Sequence, residues 1–192
     1  MAYLVPHRKF VEAMASLRRA EDLDPLSVRL NASLALVVYM MDDYEGAKQA
    51  QQTLELDPHF GTARLFLALA QLKQSRYREA IAALEGIRTA KDIGPLLIAA
   101  LGQCYAAAGD LVKAREVLRW LLARSHTRYI APIDIARVHI GLGDYEQAFK
   151  LLHQALRQHC GRLIWLGVHP MFAPLRSDKR FVQLLSSMHL KA

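Results

Sequence analysis

Apolar positions along the chain recur at helical spacing. Phe10, Ala13, Leu17 and Ala20 form one stripe near the start, and Phe181, Leu184, Leu185 and Met188 form another near the end. Between them lie two long uncharged stretches, Leu30–Met41 and Ile93–Gly109. Each is expected to be a helix covered by protein, since neither is a continuous apolar run of bilayer-spanning length. The stretch Ala99–Leu118 contains Leu101-Gly102, Tyr105, Gly109-Asp110, Leu111 and Ala114, and its pattern recurs. The small residues Ala13, Ala47, Ala80, Ala114 and Ala148 lie 34, 33, 34 and 34 positions apart. Three positions before each stands a large group: Phe10, Tyr44, Tyr77, Leu111 and Tyr145. A period of this length with this turn chemistry predicts an array of helix–turn–helix units.

The reason for the pattern is close packing. The first helix of each unit carries a large apolar residue followed by a small one: Leu34-Ala35, Leu67-Ala68, Leu101-Gly102 and Ile135-Ala136. The small residue admits the second helix, and that helix's alanine completes the contact. Short turns make each unit an αα-hairpin, and one hairpin alone leaves apolar surface that only a stacked neighbour can bury. On these residues the chain resembles the tetratricopeptide repeat family, from Phe10 to Ala155. The resemblance implies an all-α, right-handed α-solenoid of antiparallel helix pairs with an irregular helical cap at its C-terminal end.

Taken in order, residues 8–25 read as the second half of a repeat. Repeats follow over 26–57, 58–91, 92–128 and 129–160, and 161–192 reads as the cap, all within a single solenoid. Leu23-Asp24-Pro25 and Leu56-Asp57-Pro58 are matching terminators, because the residue before proline avoids the helical region. Gly109-Asp110 and Gly143-Asp144 place a left-handed glycine at the end of one helix and an aspartate cap at the start of the next. Ser75-Arg76 occupies the same turn without glycine, which makes that turn less favourable. Pro132 suits a first helical turn. After Gln158 the period is expected to stop. Leu163, Trp165, Phe172, Phe181 and Leu184 should then plug the open end of the stack, with Ser177 or Asp178 capping a last helix. An array opening on a second helix is expected to be cut from a longer protein. The tail resembles one that closes tetratricopeptide regions in bacterial multidomain regulators.

Charge and chemistry narrow the function. More than half of the 192 residues are apolar, which excludes disorder. The formal net charge of +7 suits an acidic partner, a membrane surface or nucleic acid, although the cations are scattered along helices as on a solvated surface. Two cysteines, Cys104 and Cys160, are too few for a disulfide scaffold and suit a reducing compartment. The start MAYLVPHRKF lacks a signal-peptide core, and a cytoplasmic location is expected. His153, His159, Cys160 and His169 lack the paired spacing of a metal site, so no metal is expected. Cys104 sits in the helix-packing seam, where a thiol acts as a small hydrophobe. Asp42-Asp43 and Glu21-Asp22 sit at helix ends. No nucleophile elbow or phosphate loop occurs, so no catalytic residue and no cofactor are expected. The segment Arg124–Tyr129 reads as a polar helix terminus with cations near the negative end of the dipole. Helical RNA readers need recurring polar groove positions, whereas the corresponding sites hold Ala32, Leu65, Ala99 and Ile133. Neither nucleic acid nor membrane is expected as a partner of this segment.

The expected function is a non-enzymatic scaffold that holds a peptide or helix of a partner protein, as part of a bacterial regulator. The alternative is a self-associating, dimerising segment of a signalling or transcription-regulating protein. The family resemblance implies a concave groove lined by first-helix residues: Arg29, Leu36, Tyr39, Leu65, Leu69, Leu72, Lys73, Gln103, Ile133 and Arg137. The lysine–asparagine–arginine clamp for a C-terminal carboxylate, known in the family, is not matched at these positions. The mainly apolar lining suits an amphipathic segment held by a few polar anchors.

Overall fold

Left-handed residues mark the turns that fold the chain into helix pairs. The computed structural model describes residues 3–41, 45–86 and 94–190, with side chains of 45–86 described from Lys48 onward. Its helices are α1 (Phe10–Leu23), α2 (Val28–Met40), α3 (Glu45–Leu56), α4 (Gly61–Lys73) and α5 (Tyr77–Glu85). They continue with α6 (Pro95–Ala107), α7 (Leu111–Ser125), α8 (Pro132–Gly141) and α9 (Tyr145–Arg157). Two 3-10 helices, Gly161–Trp165 and Pro170–Leu175, precede α10 (Lys179–Ser187). Among the described residues there is no strand. The fold is of the α-solenoid class, built of helix pairs as expected. Asp42-Asp43, Tyr44, Ala47 and the connection 87–93 lie outside the described residues or side chains.

The chain divides into two compact units, residues 1–90 and 91–192. In the first unit α2 pairs with α3 and α4 with α5, while α1 packs on α2. Leu34, Ala35, Val37, Ala50, Ala63, Ala68, Ala80 and Leu84 are fully enclosed. The segment ahead of α1 turns back so that Val5 is buried, whereas α1 itself fully buries only Ala13.

In the second unit α6 pairs with α7, α8 pairs with α9, and α6 packs along α8. Gly102 sets the approach of α7. A Cβ there would lie 2.7 Å from Val117 Cγ1 and 3.1 Å from Val138 Cγ2. Ala114 and Ala148 are completely buried, as the recurring small residue requires. At Gly141 a Cβ would meet the Ala106 Cβ at 3.0 Å, so α6 and α8 also touch through small residues.

The end of the second unit is closed by Leu163, Leu166, Phe172, Leu175, Phe181 and Leu184, each almost fully buried against α8 and α9. Trp165 is only half-buried. Each large apolar side chain removed from water contributes about 2 kcal/mol. The period does not stop at Gln158. Asp110, Asp144 and Asp178 cap α7, α9 and α10 and stand 34 residues apart. What changes is the first helix of this last unit, replaced by 3-10 turns that accommodate Pro170 and Pro174.

Gly109 (φ 82°) and Gly143 (φ 76°) end α6 and α8 in the left-handed region. The amide of each following aspartate then donates back into the helix, Asp110 to Tyr105 O and Asp144 to His139 O, both at 2.9 Å. Arg76 N donates to Gln71 O in the same way, also at 2.9 Å, but the left-handed position there is Ser75 (φ 59°). A Cβ in that region costs roughly 1 kcal/mol. Ser75→Gly is therefore expected to stabilise the protein by about 0.5–1 kcal/mol, read as a higher melting temperature in calorimetry.

Candidate functional site

The first-helix positions of the first unit fall into two groups. Arg29 is exposed, and Leu36, Leu72 and Lys73 are half-buried. Tyr39, Leu65 and Leu69 are core residues, with Leu69 only 1 % exposed. Leu69 therefore supports the fold and is not available to a partner without unfolding. The Lys73 ammonium lies 6.0 Å from the centre of the Tyr39 ring. These two residues stand 34 positions apart, on α2 and α4, one place out of the register that pairs Leu36 with Leu69.

In the second unit the same separation joins Gln103 on α6 and Arg137 on α8. Arg137 Nη1 donates to Gln103 Oε1 at 2.9 Å across 34 residues. The small contact of Gly141 with Ala106 lets α8 come close enough for this bond. Ile133 turns away from this polar pair, into the core against the cap. Arg137 is buried, and so is its neighbour Asp134 one turn earlier on α8. Asp134 Oδ1 accepts from Arg162 Nη1 at 2.7 Å, which ties the first 3-10 helix of the cap to α8. Burial holds the Asp134 carboxyl above its ordinary range, against the pull of Arg162 and Arg137. Its Oδ2 is enclosed without a hydrogen-bond partner among the described residues.

Sequence reasoning placed Gln103 and Arg137 on this face but missed Arg162 and His169. The one available signal for Arg162 was its position as a lone charge in the apolar stretch GRLIWLGV. His169 caps the second 3-10 helix, and its Nδ1 accepts from Met171 N at 3.2 Å. Its imidazole is held well below the usual histidine range by burial first, then by the Arg137 and Arg176 guanidinium groups. His139 is mostly covered, and its Nδ1 lies 3.1 Å from Asp144 Oδ2. Burial pushes the Cys104 thiol up to about 12, which suits packing and opposes thiolate chemistry. Among the described residues no group of three His, Cys, Asp or Glu side chains is placed to hold a metal. No helix among them is long and apolar enough to cross a membrane. The arrangement can hold polar groups of a peptide through Gln103 and charged groups at its rim; it contains no activated nucleophile.

The buried imidazole makes stability depend on pH. The folded state keeps His169 neutral, while the unfolded chain takes a proton as pH falls through about 6.5. Unfolding is then favoured by up to about 1.4 kcal/mol per pH unit below that value. Melting temperatures are expected to fall on acidification from neutral pH. His169→Asn, which keeps an acceptor for Met171 N, should flatten that slope. Asp134 works with the opposite sign, in the more acidic window above its ordinary 3.8, where the folded state takes its proton first.

Compared with known proteins, residues 41–95 match the model of the tetratricopeptide repeat family. That span covers α3, α4 and α5, including the Tyr77/Ala80 turn of the repeat. No curated protein matches the chain. Repeats of this family mediate protein–protein interaction and form a non-catalytic fold. Within this span the chain is similar to repeats of the tetratricopeptide family.

Proposed function

We propose that the chain is a non-enzymatic scaffold that captures a peptide or helix of a partner protein on the first-helix faces of its repeats. The observation that supports this most directly is the hydrogen bond between equivalent positions of successive repeats, Gln103 with Arg137. Such a contact lines up side chains of successive repeats along one face within a unit. On α2 and α4 the reachable part of that face is Arg29, Leu36 and Leu72, an aliphatic strip beside one exposed cation, while the Lys73 ammonium is enclosed near the Tyr39 ring. This lining suits an amphipathic segment, with its apolar residues on the leucines and a polar or acidic group on Arg29. A place in a bacterial regulator, acting in the cytoplasm, fits the same reading.

The test uses peptides selected from a displayed random library on the intact chain. Selected sequences are expected to be amphipathic. Leu36→Ser/Leu72→Ser should weaken them about tenfold or more while the circular dichroism spectrum and melting behaviour persist. Undiminished binding by that folded variant contradicts the groove assignment. A stable dimer that the same substitutions dissolve would replace partner capture with self-association.

A further inference from the structure

The chain's charge is unevenly placed. Residues 1–90 hold 11 Lys and Arg against 11 Asp and Glu, whereas residues 91–192 hold 14 against 7. The whole excess of +7 therefore belongs to the second unit. Within it, Asp110, Asp144, Glu146 and Asp178 lie at the N-terminal ends of α7, α9 and α10, where cations meet several of them. Lys113 pairs with Asp110 at 3.4 Å, and Arg180 pairs with Asp178 at 2.7 Å and Glu146 at 2.6 Å. Asp134 is held by Arg162. No acidic residue occurs between Glu116 and Asp134, or between Glu146 and Asp178.

Those two acid-free stretches meet in space. α7 runs out into the segment that starts α8, and α9 returns antiparallel to α8, so the C-terminal ends of α7 and α9 share one edge of the unit. Tyr129, from the segment after α7, lies close enough to Cys160, just after α9, and to Arg162 for both to act on its hydroxyl electrostatically. On α7, on the segment after it and on α9, Arg119, Arg124, Arg128, Lys150 and Arg157 are exposed, and none of them pairs with a carboxylate among the described residues. The helix dipole accounts for Arg124 and Arg157, which sit in last turns. It does not account for Arg119 and Lys150, more than a turn upstream, or for Arg128, beyond the helix.

We propose that this edge docks an acidic segment, a run of aspartate and glutamate, of a partner protein. The proposal rests on the scaffold reading and names the chemistry of a second contact, outside the groove. Charge complementarity is its basis: an unneutralised cationic surface raises the encounter rate and selects partners of opposite sign. Proteins that track single-stranded nucleic acid interleave cations with open aromatic platforms. Here the Trp120 ring is only half-buried but is covered by its own Arg124 at 5.1 Å, so it offers no open platform, while Tyr129 and His126 are exposed beside it. Leu122, exposed on the same helix, offers aliphatic contact suited to side chains.

The experiment measures fluorescence anisotropy of a labelled oligo-glutamate peptide with the full chain. An oligo-glutamine peptide, an oligothymidylate and vesicles containing phosphatidylserine serve as comparators. Oligo-glutamate is expected to bind most tightly and to weaken with salt. Arg119→Glu/Arg128→Glu should weaken it about tenfold or more, while Arg19→Glu/Arg78→Glu, the same charge change in the first unit, leaves it unaltered. Tighter binding of the oligothymidylate or the vesicles, equal loss in the two double variants, or no binding of oligo-glutamate overturns the proposal. Leu36→Ser/Leu72→Ser is expected to leave oligo-glutamate binding intact. Failure of the edge with the groove still binding its selected peptides therefore removes this docking surface alone.

Discussion

Helices in this protein come together through side chains too small to hold them apart. Gly102 faces Val117 and Val138 at distances where even a methyl group has no room. Ala80, Ala114 and Ala148 occupy the corresponding place on the partner helices and are fully enclosed. Close approach turns weak dispersion into substantial cohesion, because many atoms reach contact distance together. It also explains why a helix such as α6 is apolar nearly all round. Gly102 faces α7 and α8 together, and Ile98 and Ala99 share a core with residues of both, so little of α6 is left for water.

The same spacing arranges the polar groups. Because α6 and α8 meet at Ala106 and Gly141, side chains one repeat apart come within bonding distance, and Arg137 reaches Gln103. A buried guanidinium then has consequences for its surroundings. It favours the charged form of Asp134, lowers His169 and opposes the desolvation of Cys104. Arg162 completes the arrangement by joining the cap to α8 through a carboxylate only 2 % exposed. Removing one partner of such a buried pair costs more than the pair itself contributes, since the other charge is left enclosed. Cap and first-helix face are thus coupled through Asp134.

Much of this was legible in the chain. The alanine period located the helix pairs, Gly109-Asp110 and Gly143-Asp144 announced their turns, and Ser75 was recognisable as the turn with a steric penalty. Spacing could not tell which first-helix residues stay reachable. Leu36 and Leu69 occupy equivalent positions, yet Leu36 is half-buried and Leu69 is core, because their neighbours differ. The continuation of the period to Asp178 was hidden by the proline-containing 3-10 turns that stand in for a helix. The Asp134–Arg162 pair left no local trace, as it joins residues 28 positions apart. The cationic edge likewise emerges only once the ends of α7 and α9 are known to lie side by side.

Gly102→Ala, alone and combined with Val117→Ala, tests the close approach most directly. Equilibrium denaturation is expected to show the single Gly102→Ala change costing roughly 1–3 kcal/mol, as overpacking does. Val117→Ala should cost stability alone but recover part of that loss in the double variant, giving a favourable coupling energy. Unchanged stability of Gly102→Ala, or strictly additive losses in the double variant, would contradict a seam whose spacing is set by the missing side chain.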